Sequence, residues 1–174
     1  MRNTAPERLP CMENRVSVSR QIPVPAGVLF GILAHPANHL LIDGSGMLRR
    51  ALSGETITQS GDAFVMAMHN DEMGDYEMTN YVTEFEPDRL ITWEPVMSAA
   101  SREEDRPGIG HRGEPHMWCY ELVPDADGST VVTEIYDCSR APEWLRQATR
   151  GGERWAPAMA ETLAKLEALA TADS

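Results

Sequence analysis

The feature that most constrains this chain is its last patterned stretch, residues 153–170. There Trp155, Met159, Leu163, Leu166 and then Leu169 or Ala170 recur at helical spacing. These side chains fall within a stripe about 120° wide, and Glu161 and Lys165 sit off it as an i,i+4 pair in the favourable order. A helix with one apolar face has to bury that face. At about 1.5 Å per residue the segment is roughly 27 Å long, and the chain before it is strand-like, so its partner has to be a broad sheet. The pattern predicts a curved antiparallel sheet closing over a C-terminal helix. The regular helix is expected from about Ala156 to Ala170, because Pro157 is tolerated only near a helix start.

Residues 1–14 hold two prolines, mixed charge and no periodicity, and read as a flexible tail ahead of one domain, 15–171. Val16, Val18, Arg20 and Ile22 alternate with polar residues as a first strand, ended by Pro23 and Pro25. Two short helices follow, one through Val28, Leu29, Ile32 and Leu33, the other over 35–42, and they stop at the turn Asp43-Gly44-Ser45-Gly46. From 47 to 137 the signals are those of strands and turns, with strands expected at 48–53, 64–69, 76–86, 89–94, 116–123 and 129–137. In the longest of these the set Tyr81, Thr83 and Phe85 is expected to face inward. In the last strand Val131, Thr133 and Ile135 are expected inward, with Glu134 outside where a charge is comfortable. Residues 97–115 carry Gly, Pro, Arg and Glu without an apolar pattern and read as a long inserted loop; exposure and little protection from hydrogen exchange are expected at 1–11 and 98–114. Pro142 opens a further short helical segment, which Gly151-Gly152 ends.

Composition excludes several functions. With 27 acidic against 15 basic residues the net charge is −12, which opposes a phosphate backbone or an anionic bilayer, so no nucleic-acid partner is expected. The three cysteines, Cys11, Cys119 and Cys138, lie far apart without metal-finger spacing and fit free thiols. No apolar run reaches the roughly 18 residues of a membrane span, and the first residues lack a signal-peptide core. A cytoplasmic protein without membrane insertion is expected. No phosphate-binding loop or dinucleotide fingerprint is present, so no cofactor is expected.

The order of strand, two short helices, about six further strands and one long helix is an α+β, helix-grip plan. At this level the chain resembles the START-like superfamily, which includes polyketide cyclases and dehydrases, lipid-transfer START domains and birch-pollen-allergen-like proteins. The resemblance runs from about Val16 to Ala170. It is carried by Ile22-Pro23-Val24-Pro25 before Gly27-Val28-Leu29-Phe30, by Asp43-Gly44-Ser45-Gly46, and by Tyr81-Val82-Thr83-Glu84-Phe85-Glu86-Pro87 running into Arg89-Leu90-Ile91-Thr92-Trp93. Trp118-Cys119-Tyr120-Glu121-Leu122-Val123-Pro124 before Asp127-Gly128-Ser129, and Thr162-Leu163 with Lys165-Leu166, complete it. The tail and the 97–115 loop depart from the compact pattern. The resemblance implies a cavity between sheet and helix, a feature the superfamily shares without sharing a reaction.

The inward parities collect Met66, Met68, Tyr81, Phe85, Trp93, Trp118, Tyr120, Trp155 and Met159 beneath the helix. Methionines fill irregular space and aromatics supply flat walls, which suits a hydrophobic or aromatic ligand as well as it suits an ordinary core. Tyr120 is the hydroxyl expected to orient a carbonyl. Asp43 is a possible base at the mouth, although an aspartate in such a turn commonly bonds its own backbone. His35 and His39 are four apart on one short helix, but the metalloprotease glutamate and a third ligand are both missing from the pattern, so no metal site is expected. His69, His111 and His116 read as surface residues. Three functions stay open: a polyketide cyclase/dehydrase-like enzyme, a non-catalytic carrier or sensor of hydrophobic metabolites, and a protein-interaction module.

Overall fold

The computed structural model describes residues 13–98 and 115–172. The expected tail, apart from Glu13 and Asn14, and the body of the expected 97–115 loop lie outside the described residues.

Strand β1 (Arg15–Ile22) is followed by helices α1 (Ala26–Leu33) and α2 (Pro36–Ile42). Strands β2 (Leu48–Ala51), β3 (Ala63–Asn70), β4 (Gly74–Glu86), β5 (Leu90–Met97), β6 (Met117–Pro124) and β7 (Thr130–Asp137) come next, then α3 (Glu143–Ala148) and α4 (Ala156–Thr171). All seven strands form one antiparallel sheet in the order β1-β7-β6-β5-β4-β3-β2, so the first strand joins the sheet beside the last. This is the helix-grip arrangement, with α4 held across the concave face. Leu163 and Leu166 are fully buried and Met159 nearly so, while Leu169 and Ala170 pack partly buried against the same core. No helix among the described residues is long and apolar enough to cross a membrane.

Two joints fix α4 to the rest. On one side Arg20 of β1 forms an ion pair with Glu167, so this residue, placed by alternation on the buried face, carries its charge outward to the helix. On the other side the turn after α2 sits directly on the helix backbone. The Gly44 amide donates to Thr162 Oγ1 at 3.0 Å, and Thr162 Oγ1 donates to the Ala158 carbonyl at 2.9 Å. Lys165 Nζ donates to the Asp43 carbonyl at 2.9 Å rather than pairing with Glu161. A Cβ on Gly44 would lie 2.1 Å from the Ala158 oxygen, so only glycine allows this approach.

Two inward assignments are corrected. In β4 the register shifts between Val82 and Glu84, leaving Thr83 as the extra residue of a bulge. Phe85 therefore does face the core, where it meets Phe30 edge-on at 5.3 Å, but on the other side of the bulge the inward set is Tyr76, Met78, Asn80 and Val82. Tyr81 lies on the opposite face. In β7 the inward residues are Val132, Glu134 and Tyr136, not Val131, Thr133 and Ile135. Directly opposed residues of antiparallel strands share a face, and Val18 pairs with Glu134, Val16 with Tyr136 and Tyr120 with Glu134. Ile135 is on the outer side between Ser17 and Cys119 and is nonetheless buried, which is why an apolar residue at that position misleads.

Candidate functional site

Between the concave face of the sheet and the start of α4 lies a cavity of about 1390 Å³. Its wall is built by register. Trp93 on β5 is opposite Trp118 on β6, which is opposite Tyr136 on β7, and Tyr120 is opposite Glu134 one step along. The rings touch in sequence, with Trp93 to Tyr120 centroids at 5.7 Å, Trp118 to Tyr136 at 4.7 Å and Trp118 to Trp155 at 6.2 Å. Beneath α2, His39 stacks on Trp93 at 5.3 Å with planes 20° apart. Met66 and Met68 on β3 extend the wall towards the β3–β4 hairpin, where Met47, Met73, Met78 and Met97 also line it. With Met159 from α4, seven of the chain's ten methionines border this space. Their flexible thioethers make the wall adaptable.

Of the residues singled out by sequence, Asp43, Met66, Met68, Trp93, Trp118, Tyr120, Trp155 and Met159 border the cavity together; Tyr81 does not. Asp43 is at the rim, but its carboxylate is occupied by the turn. Oδ1 accepts from the Ser45 amide at 2.8 Å and the Ser45 hydroxyl at 2.6 Å, and Oδ2 accepts from the Leu48 amide at 3.0 Å. A carboxylate with three such donors is a turn cap before it is a base. His35 and His39 diverge: His35 Nδ1 is 3.2 Å from Thr56 Oγ1, whereas His39 Nε2 donates to the Leu33 carbonyl at 2.7 Å. His39 is buried, and desolvation holds its pKa below the usual value.

The polar groups that sequence reasoning missed are Glu134, His116 and Tyr136. Glu134 is 4% exposed. Its Oε1 accepts from the Tyr120 hydroxyl at 2.9 Å, while Oε2 has no hydrogen-bond partner among the described residues. Burial pushes the Glu134 pKa up to about 8, with the Tyr120 bond lowering it and the Asp43 charge raising it, so near neutral pH the carboxyl is largely protonated. Burial, followed by the Glu134 charge, raises the Tyr120 pKa well above the ordinary phenol value. Beside this pair the buried His116 places Nδ1 3.0 Å from the Tyr136 hydroxyl. Desolvation lowers the His116 pKa to about 4 even though the nearby Pro95 carbonyl favours its charged form, so the ring is neutral and not the surface histidine expected. Desolvation likewise raises the pKa of Tyr136. The wall is thus aromatic with a short strip of neutral acids and bases. Such a strip can donate and accept hydrogen bonds, or shuttle a proton, without burying a charge. Only the hairpin register could have found Glu134: the Asp125–Gly128 turn pairs Tyr120 with Glu134 across β6 and β7, so an inward Tyr120 requires an inward Glu134.

No protein-family model matches the chain. Over 123 residues, 71% of this chain, it is 30% identical to the uncharacterized protein Rv0088 of Mycobacterium tuberculosis. The chain spans about half the length of the curated relatives it matches, 47% of each. Among solved structures, protein Ms6760 from Mycobacterium smegmatis is 15% identical with a TM-score of 0.63, covering 93% of this chain and 94% of that one. The AHSA1 protein from Silicibacter pomeroyi is 15% identical with a TM-score of 0.59, covering 92% of this chain and 99% of that one. At this identity the likeness establishes a shared fold, a seven-stranded antiparallel sheet with a long C-terminal helix.

Proposed function

We propose that the chain binds a hydrophobic or aromatic small molecule in the cavity between sheet and α4, with polyketide cyclase/dehydrase-like proton transfer as the chemistry such a wall can support. The observation that carries this reading is the cavity itself. It is larger than an imperfectly packed core leaves behind, and it is bordered by aromatic rings, methionines and a few convergent polar groups. Tyr120, whose one proton is given to Glu134 Oε1, acts on a ligand carbonyl through that acid partner, and Met66, Met68, Trp93, Trp118, Trp155 and Met159 supply the apolar contact. A carrier or sensor role is the second reading, favoured by the methionine-rich end of the wall, which adapts to ligands of different shape. Among the described residues the free thiols, Cys119 and the buried Cys138, fit a reducing cytoplasm.

The test is native mass spectrometry of the purified protein together with a thermal-shift screen of aromatic and polycyclic compounds, read also by tryptophan fluorescence. A ligand that binds only the folded state raises the melting temperature by mass action, and one lying on Trp93, Trp118 or Trp155 changes their emission. A binder converted to a new product identifies the enzyme, and one bound unchanged identifies the carrier. If no mass travels with the protein and no compound shifts it, the interaction-module reading takes over.

A further inference from the structure

Among the described residues Glu134 is the one carboxyl of the cavity wall that is both buried and half-satisfied. Its Oε1 is fixed by the Tyr120 hydroxyl at 2.9 Å, the two residues being directly opposed across β6 and β7. Its Oε2 is buried without a partner among the described residues. An orphaned buried carboxyl oxygen is costly to maintain in a folded protein unless something else meets it. We infer that Glu134 is the recognition group of the cavity: its Oε2 hydroxyl donates a hydrogen bond to an oxygen of the ligand, Tyr120 positions it, and the site selects uncharged aromatic carbonyl compounds over hydrocarbons and over anions. This rests on the ligand-binding reading above and narrows it to a substrate class.

The surroundings agree. Tyr120 donates to Oε1, which leaves Oε2 as the oxygen that carries the proton, and the raised pKa of about 8 keeps that proton in place at neutral pH. The ionisable groups of the wall outside β2 and the β3–β4 hairpin are, besides Glu134 itself, Tyr120 on β6, His116 just before β6, Tyr136 on β7, His39 on α2, Asp43 on the turn after α2 and Arg154 ahead of α4. The two histidines are neutral at pH 7 through burial, and burial raises the pKa of both tyrosines. Arg154 lies over the Trp155 ring, 5.9 Å from its centroid. Among the described residues Glu134 therefore has no cationic partner, and the charge that acts on it is the negative one of Asp43, which disfavours both ionised Glu134 and an anionic ligand. The remaining titratable residues of the wall are Arg49 on β2 and His69, Asp71, Glu72, Asp75 and Tyr76 of the β3–β4 hairpin; Arg49 and the three acids are exposed, and His69 Nδ1 meets Asp75 Oδ1 at 2.7 Å.

Three matched probes test this: fluorene, 9-fluorenone and fluorene-9-carboxylate, which share a ring system and differ in the oxygen they offer. Their dissociation constants are to be measured by calorimetry with the whole protein at pH 7 and pH 9. At pH 7 fluorenone should bind roughly fivefold or more tighter than fluorene, the effect of one hydrogen bond to a buried donor, and the carboxylate should bind weakest. At pH 9 the preference for the ketone should fall towards one. Glu134→Gln still offers an N–H, so it should keep the preference and lose its dependence on pH. Glu134→Leu should bind fluorene and lose the preference. Equal binding of fluorene and fluorenone by the wild type at pH 7 overturns the inference and leaves the cavity reading standing. An unchanged preference in Glu134→Leu does the same by assigning the donor elsewhere. Binding of none of the three removes the cavity reading and this inference together.

Discussion

Tyr120 and Glu134 form a pair in which each member changes what the other can do. The Tyr120 hydroxyl bond lowers the Glu134 pKa against the larger effect of burial. Tyr120→Phe should therefore push Glu134 higher still and leave both its oxygens without a donor, a cost of about 1–3 kcal/mol. Carboxyl-carbon NMR titration of Glu134 and urea denaturation of the variant measure the two effects, and a Glu134 pKa that falls in the variant would rule the pairing out. Tyr120 was legible in the sequence because its strand alternates cleanly. Glu134 was not, since a charged residue between β-branched neighbours reads as solvent-facing until its opposite strands are known.

At the scale of elements, the joint between α4 and the turn after α2 makes a sharp contrast. Leu166 is fully buried under the sheet, so Leu166→Ala should destabilise by about 2–5 kcal/mol. Lys165→Ala removes only its bond to the Asp43 carbonyl and should cost about 1 kcal/mol. Gly44→Ala drives a methyl into the Ala158 carbonyl and should cost about 1–3 kcal/mol or more, with a shift of α4 visible in backbone chemical shifts. A Gly44→Ala protein as stable as wild type would show that the turn does not rest on the helix. The expected helix, from about Ala156, matches α4 because its apolar stripe is local information. The Asp43 turn was legible as a turn, but its landing point on Ala158 and Thr162 was not, because contacts that distant in sequence leave no periodicity.

At the scale of the whole molecule, two buried titratable groups of the cavity wall, Glu134 and His116, act on stability against pH in opposite directions. Glu134 has a folded-state pKa of about 8, above its ordinary 4.5, so its contribution is full below about 4.5 and is lost as pH rises through 8. His116 has a folded-state pKa of about 4, below its ordinary 6.5, so its contribution is present above about 6.5 and is lost as pH falls through 4. Between 4.5 and 6.5 the Glu134 and His116 slopes oppose each other, and His39, its pKa also lowered by burial, adds stability as pH rises towards 6.5. From pH 6.5 to 8 the wild type should lose on the order of 2 kcal/mol through Glu134 alone, and Glu134→Gln should not. Denaturant midpoints of both proteins across that range check the difference, and parallel curves would contradict it.

By itself the sequence determined the class of architecture. A one-sided C-terminal helix, a strand ahead of two short helices and a run of alternating strands admit few arrangements that bury every apolar face, and the observed sheet of seven strands around α4 is one of them. It also determined most of the apolar wall, since Met66, Met68, Trp93 and Trp118 follow from strand alternation within their own segments. Only the tertiary structure decided which polar groups enter the cavity. One extra residue at Thr83 turned Tyr81 to the other face of its strand, and pairing with β1 and β6 turned Glu134 and Tyr136 inward. The physical reason is that parity has a period of two: a single bulge, or a neighbour's register, reverses every side chain beyond it, and neither is written in the strand that is reversed.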